Sequence, residues 1–445
     1  MTTAFPFIRP ARLGLPLAIG PSGPVSFEKF LGDVAALAHL LPRHRHIVNL
    51  CSDRYRFSVA LAAALLREQV TVLPPGDSPA VLGGVVAEFD DLYALHDDAA
   101  PTLAIPAMAY PRASEHGSPA AVPLIAADQP AIILFTSGST GRPTPHRKNW
   151  GSLAGSALAA GSALGVGDMP GAAVIGTVPQ QHSYGFESTV MLPLLHGLTL
   201  HHSRPFYPSD IAVSIERAPR PRILVTTPIH LRAIVVDPGQ LPPVDLVVSA
   251  TAPLSVSLAA EAERRFAAPL LEIYGCSEAG QLATRRTVAG DEWQCMEGVA
   301  LRQNAAGTWA SGASIGGEVL LGDVIELRAP DRFCLRGRTA DLVNIAGKRA
   351  SLAHLNHHLH SIDGVQDGVF LMPEEGDGPA TRLMAVVVAP ELTADAIMAA
   401  LRERIDPAFL PRPLRLVDAL PRNALGKLTR DAVMRLVDRN ARRSS

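Results

Sequence analysis

The sequence predicts an α/β protein. A large N-terminal part of stacked α/β sheet layers carries a small β-rich subdomain, and a small α+β unit follows. Three observations point there. Short apolar runs of strand length alternate with stretches of helical apolar spacing, the pattern of parallel sheet layers covered by helices. Several of these strands end in clusters of small, polar and aromatic residues, the places where open α/β sheets bind ligands. The chain has 445 residues, 47% hydrophobic and 18% charged; that size supports two or three domains with sizeable cores.

Phe27 to Leu41 has helical apolar spacing. His46 to Leu50 reads as a strand, and Cys51-Ser52-Asp53 offers a cap for a helix over Arg54 to Glu68. Gln69 to Leu73 is a further strand, and Ala99 to Ala121, rich in Pro, Ala and Ser, an irregular connection. Ala131 to Phe135 is long enough for a buried strand, and Asn149 to Gly165 for a helix. Ala172 to Val178 reads as a buried strand, and Val190 to Gly197 as an apolar element. Arg222 to Thr226 and Asp245 to Ser249 are parallel-strand candidates, and Leu270 to Ile273 leads into Tyr274-Gly275-Cys276-Ser277-Glu278. Gly316 to Leu327 alternates in strand fashion, and Arg332 to Ile345 reads as a strand, a polar break and a strand. The boundary falls at that break, giving domains of residues 1–338 and 339–445. In the second, Leu352 to His360 and Ala394 to Ile405 are helix candidates, and Met384 to Val388 and Leu414 to Val417 strand candidates.

A net charge of -2 gives no reason to expect a nucleic acid or an anionic membrane as partner. Cys51, Cys276, Cys295 and Cys334 are widely spaced, which argues against a disulfide framework or a thiolate zinc site and makes a reducing cytoplasm the default. Arg9 and Arg12 interrupt any signal-peptide core. No apolar run approaches membrane-span length.

Five segments carry chemistry. Thr136, Ser137, Gly138, Ser139, Thr140 and Gly141 follow a buried strand. Glycines there let backbone amides approach an anion, and hydroxyls add donors; no Gly-Lys-Ser/Thr closes the segment, so it is not a Walker loop. A Ser/Gly-rich surface turn is the plainer alternative. Pro179 to Phe186 ends a strand and delivers His182 and Tyr184 to a pocket beside that loop, or else holds a core histidine in a turn. His196, His201 and His202 lack the spacing of a zinc site and read as surface histidines. Tyr274 offers a ring to stack on a base, and Glu278 a carboxylate for Mg²⁺, which shares oxygen ligands with phosphates; an ordinary loop with a solvated Glu is the alternative. Asp323 and Arg338 flank the polar break, and Lys427 lies in a Gly-containing loop where a lone lysine is ordinarily a solvated charge.

In the order T-S-G-S-T-G-R-P, P-Q-Q-H-S-Y-G, Y-G-C-S-E, G-D with G-R-T-A-D, and P-R-N-A-L-G-K-L, these segments resemble the adenylate-forming superfamily across residues 130 to 430. That superfamily holds the acyl- and aryl-CoA synthetases, the adenylation domains of peptide synthetases and firefly luciferase. The resemblance implies a small mobile C-terminal domain that turns about a hinge, here Ala340, between two half-reactions. A carboxylate first attacks the α-phosphorus of ATP, and a thiol then attacks the acyl-AMP. By the same resemblance, Thr136 to Gly141 hold the β- and γ-phosphates. Tyr274 and Gly275 flank adenine, with Ala250, Thr251, Ala252 and Pro253 as another wall. Ser277 contacts the α-phosphate or the carboxylate, Glu278 holds Mg²⁺, Asp323 accepts from the ribose hydroxyls with Arg338 nearby, and Lys427 and His182 serve catalysis.

The chain departs from the family pattern at three places. Thr144 stands where many members carry Lys; His146, Arg147 and Lys148 follow closely and either supply the charge or form a solvated basic turn. Ala340 replaces the usual Asp or Lys of the hinge, and Leu355-Asn356-His357 an acidic pair. The acid pocket is expected among His182, Tyr184, Gly185, Phe186, Ala250, Thr251 and Cys276, without the acidic residue that would anchor an α-amino group. An aryl or medium-chain acyl acid is the expectation. The acceptor thiol is CoA or the phosphopantetheine of an acyl carrier protein. Arg430, Arg435, Arg439, Arg442 and Arg443 would steer an acidic carrier, or else form a solvated amphipathic helix. The alternative to an enzyme is a catalytically weak adenylate-binding or regulatory homologue.

Overall fold

The structure is a computed structural model that describes the chain apart from residues 1–2, 10–15, 21, 75, 77–78, 99–104, 112–120, 138–142, 339–341, 346–347, 373–382, 423–427, 429–431 and 438–445. Two sheets dominate it. The first has six strands in the order Pro143–Asn149, Pro130–Ser137, Val70–Leu73, His46–Asn49, Leu92–His96 and Ala107–Ala109. All neighbours pair in parallel except the Pro143–Asn149 edge strand. The second has eleven strands, with a parallel centre of Ala173–Gly176, Arg222–Thr226, Leu246–Ser249 and Leu270–Cys276. Antiparallel strands Gly280–Arg285, Glu292–Cys295, Arg332–Arg338 and Asp323–Ala329 extend one side of it. A separate three-stranded sheet of Ala300–Asn304, Gly307–Gly312 and Gly317–Leu320 completes the β-rich part. Gly316 to Leu327 is therefore two strands in two sheets, split around Leu321 and Gly322, not one.

Local chemistry sets the helices. Ser26, Asp53 and Asn149 each accept a first-turn amide, capping Phe27–Leu40, Arg54–Leu66 and Trp150–Ala163. Arg54–Leu66 is buried nearly all round, and its alanines let it pack with no polar face. The strand Pro143–Asn149 was not anticipated, because two prolines and the run His146-Arg147-Lys148 lack strand alternation. It survives as an edge strand, where a missing N–H is tolerated.

Polar side chains join the two sheets at the carboxyl ends of their strands. Arg54 has no exposed surface. Its guanidinium donates to the carbonyls of His201 and Ser203, both at 2.8 Å, and of Gly176 and Val178, both at 3.2 Å. Burial draws its pKa down to about 10. Gln180 donates to the carbonyls of Cys51 and Ser52 at 2.9 Å, and Gln181 to that of Cys51 at 3.0 Å. A Cβ on Gly176 would meet Thr189 at 2.6 Å and Arg54 at 3.0 Å, so the clamp requires glycine there.

The expected surface histidines are corrected. His201 is buried, and His196 lies against Trp150–Ala163, where its Nε2 bonds the Ala157 carbonyl at 3.0 Å. Their strand and helix run under Arg54–Leu66 and Trp150–Ala163, a burial that local sequence does not reveal.

Beyond residue 341 the hairpin Leu342–Ile345/Lys348–Ser351 and the sheet Asp367–Leu371, Met384–Val388 and Leu414–Leu416 enclose apolar clusters of their own, with helices Leu352–His360 and Ala394–Arg402. Asp367 accepts both ends of the Arg422 fork at 2.8 Å and lies 3.8 Å from Arg232 of helix Pro228–Val236, in the large part. Burial opposes its charge, but these cations and His360 outweigh burial and hold its carboxyl below the usual range. No helix of the described residues is long and apolar enough to cross a membrane.

Replacing Arg54 with Met should lower the unfolding free energy by about 3 kcal/mol or more, since buried carbonyls lose their donor; a change under about 1 kcal/mol in urea unfolding would contradict the clamp. Burial also pulls the pKa of His201 down to about 4. An unfolded imidazole protonates near 6.5. The native state therefore resists protonation: its stability is full above that value and falls as pH drops towards 4, by up to about 3 kcal/mol. His201→Gln should flatten the stability profile across that window, and an unchanged slope would refute the assignment.

Candidate active site

The carboxyl ends of the central strands and the stem of the Gly/Ser loop meet in one region. Register pairs Thr136 with Thr144 and Ser137 with Pro143, so the two flanking strands run antiparallel side by side. Gly138, Ser139, Thr140 and Gly141 lie outside the described residues. On the returning strand, His146 and Lys148 share one face. His146 Nε2 stands 3.6 Å from Glu278 Oε1. Lys148 is buried and donates to the main-chain carbonyl of Glu278. Burial lowers the pKa of both, against the pull of Glu278 on each and of Glu187 on Lys148. The basic run is thus a strand aimed at the Glu278 turn rather than a solvated turn.

Strand Leu270–Cys276 bulges between Tyr274 and Gly275 before the turn 277–279. A Cβ on Gly275 would stand 2.2 Å from the Gly280 carbonyl, so the approach requires glycine. Ser277 is half-buried and Glu278 exposed. Tyr274 is buried, its ring 5.8 Å from Trp293 and 5.5 Å from Phe333. Its hydroxyl donates to Asp323 Oδ2 at 2.8 Å. Asp323 is in turn the register partner of Arg338. Three residues widely separated in sequence are therefore brought to one edge.

At the end of Leu246–Ser249, Ala250 is buried and Ala252 exposed, while Thr251 holds φ 83°. A β-branched residue there is strained, and such strain gathers at ligand sites. Across the sheet His182 precedes the short helix Ser183–Phe186, its amide donating to the Pro179 carbonyl at 3.2 Å. The Tyr184 hydroxyl donates to the Val248 carbonyl at 3.0 Å. A Cβ on Gly185 would fall 2.0 Å from the Pro179 carbonyl. Phe186 has no exposed surface and packs edge-on against Phe57 in the core. The chain then widens into a π-helix, Glu187–Met191, a distortion frequent at functional sites. Cys276 is half-buried, its thiol pushed up to about 12 by burial and then by Glu278.

Sequence reasoning missed Trp293 and Phe333, which support Tyr274, and Glu187, for which the only signal was an acidic residue in an apolar run. Lys427 and Ala340 lie outside the described residues. Among the described residues no group of three or more His, Cys, Asp or Glu could hold a metal ion. The single carboxylate of Glu278 suits Mg²⁺ as one ligand, with phosphate oxygens and waters completing the shell.

The chain matches the AMP-binding enzyme family over residues 39–313. It is 29% identical over 311 residues to a 4-coumarate–CoA ligase of Halorhodospira halophila, covering 67% of this chain and 74% of that one. It is 30% identical over 310 residues to a 4-coumarate–CoA ligase of Rhodobacter capsulatus, covering 68% and 76%. Its fold superposes on ATP-bound MatB from Rhodopseudomonas palustris with a TM-score of 0.80 at 17% identity, over 96% and 97% of the two chains. The protein belongs to the AMP-binding enzyme family, with the mixed α/β architecture of the adenylate-forming enzymes.

Tyr274→Phe should cost about 1–2 kcal/mol of stability through loss of the bond to Asp323. A double-mutant cycle with Asp323→Asn should return a coupling of about 1 kcal/mol; additive effects would show that the bond contributes nothing.

Proposed function

We propose that the protein is an ATP-dependent carboxylic acid ligase. It forms an acyl- or aryl-adenylate with release of pyrophosphate, then passes the acyl group to a thiol, giving a thioester and AMP. The observation that carries this is the meeting of Tyr274, Asp323 and Arg338 on one side of the Cys276–Gly280 turn with Glu278, His146 and Lys148 on the other, beside the stem of the Gly/Ser loop.

In this reading Tyr274, Gly275 and Thr251 to Pro253 flank adenine, Asp323 and Arg338 take the ribose, and Thr136 to Gly141 hold the phosphates. Glu278 would hold Mg²⁺, which neutralises phosphate charge when bound. The carboxylate oxygen bonds to the α-phosphorus as the bond to the bridging oxygen breaks, and pyrophosphate leaves with that electron pair. Lys427 offers a compact cation to the charge growing there. The thiolate then attacks the acyl carbon and AMP leaves. The chain divides into residues 1–338 and 339–445, with the second turning about Ala340 so that Lys427 withdraws before the thiol enters.

The acid is an aryl acid first and a medium-chain acyl acid second, a choice supported by the 4-coumarate–CoA ligases it resembles and by the half-buried, mostly uncharged surface of His182 and Cys276. CoA is the acceptor those relatives' names carry; a phosphopantetheine arm offers the same thiol chemistry. Loading with radiolabelled acid separates the two.

Pyrophosphate exchange into ATP over a panel of aryl and medium-chain acids should show acid dependence; silence across the panel with ATP still bound would support a regulatory adenylate-binding protein instead. Lys427→Ala should lower exchange by about a hundredfold or more while sparing thioester formation from preformed acyl-AMP. Equal loss of both steps would contradict its role.

A further inference from the structure

One carboxylate links the two parts of the chain. Asp367 opens strand Asp367–Leu371 of the small unit. Its Oδ2 accepts from Arg422 Nε and its Oδ1 from a terminal nitrogen of the same guanidinium, each at 2.8 Å. Arg232 brings its Nη1 to 3.8 Å from Asp367 Oδ1. Arg422 belongs to the small unit, Arg232 to helix Pro228–Val236 of the large part. Arg422 also forms an antiparallel bridge with Leu428, and in the sequence Lys427 stands between them.

The helix that supplies Arg232 starts at the carboxyl end of strand Arg222–Thr226, the edge of the sheet where the site lies. His230 in its first turn fixes it there. The Nδ1 of His230 lies 2.9 Å from Thr227 Oγ1 and 3.3 Å from Thr177 Oγ1, in the segment that runs on to His182. A contact from Asp367 to Arg232 therefore brings the stem around Lys427 to that edge. The small unit does not need this contact to balance the Asp367 charge. The Arg422 fork already occupies both carboxylate oxygens, and His360 of the same unit stands 3.7 Å from Oδ1. Of these three groups only Arg232 comes from the large part. The Arg232–Asp367 pair is partly exposed and too long for a hydrogen bond, so its strength is modest. Modest strength suits a contact that must break in every turnover, whereas a bidentate fork would hold the units together.

We propose that Asp367 is a positioning residue for Lys427. It holds the stem of the lysine loop through Arg422 and docks that stem on the large part through Arg232. The arrangement so held is the one for adenylation, and release of Arg232 frees the small unit to turn. This rests on the reading of the protein as a two-step ligase whose Lys427 acts in the first step.

The test uses the full chain and has two arms. In the first, pyrophosphate exchange and thioester formation from preformed acyl-AMP are measured side by side. Arg232→Gln should lower exchange about fivefold and spare thioester formation, and Arg232→Lys should restore exchange to within about twofold. Asp367→Asn, which also loosens the Arg422 fork, should lower exchange about tenfold or more. Equal loss of both steps, or exchange that is unchanged or faster in Arg232→Gln, overturns the proposal. The second arm needs no activity. Spin labels on Val236→Cys and Leu416→Cys, exposed positions of the two parts, report the separation of the parts, with the labelled parental chain as control for the native thiols. Arg232→Glu, which sets a carboxylate against Asp367, should shift or broaden the distance distribution, and an unchanged distribution overturns the proposal. A shifted distribution with no exchange for any acid would support the docking contact and sink the ligase reading.

Discussion

The architecture depends on joining two sheets at the carboxyl ends of their strands, and a single buried cation does most of the joining. Strand ends point bare carbonyls into the seam between the sheets. Arg54 collects four of them, from the last residues of Ala173–Gly176 and Thr199–His201 and from the segments just after. A carboxylate partner would neutralise the guanidinium, but it would satisfy none of those acceptors. Backbone carbonyls give the cation its partners and the seam its donors together. Gln180 and Gln181 extend the same arrangement to Cys51 and Ser52. His182 and the short helix bearing Tyr184 follow immediately, so the seam that holds the sheets together also places the site.

A second polar layer surrounds the Cys276–Gly280 turn. Tyr274 on one side is held by Trp293, Phe333 and Asp323, and Lys148 and Glu187 close the other. Burial pushes the carboxyl of Glu187 up and the ammonium of Lys148 down, although each offsets part of the effect on the other. Charges kept in such a place are weak devices for stability. Their presence, with the strained Thr251 and the π-helix nearby, marks a region shaped for a ligand.

Much of this was legible in the sequence for a physical reason. Strand-end chemistry is local: Tyr274, Ser277 and Glu278 lie within five residues of one strand end, and His182 and Tyr184 at another, although the close carbonyl approach that Gly185 and Gly275 make shows only in the structure. The parallel strands announced themselves by apolar runs, and the cap Asp53 by type and place, whereas the caps Ser26 and Asn149 were found only in the structure. What stayed hidden is long-range. Nothing near Lys148 states that its amine ends at Glu278, and nothing near Arg54 shows it sealed between two sheets. Asp367 gives no hint of Arg232. The strand Pro143–Asn149 hid behind prolines that only its edge position permits, and His201 passed for a surface residue because burial came from a helix far off in sequence. Lys427 and the Gly/Ser loop were legible as motifs, while their geometry lies outside the described residues.

The central claim is that a carboxylate oxygen attacks the α-phosphorus of ATP. Running the reaction with an acid labelled with ¹⁸O in its carboxylate, and weighing the nucleotide product, tests this most directly. The account predicts AMP carrying one ¹⁸O and pyrophosphate carrying none. Label in inorganic phosphate, with ADP as the nucleotide product, would place the attack at the γ-phosphorus and contradict it.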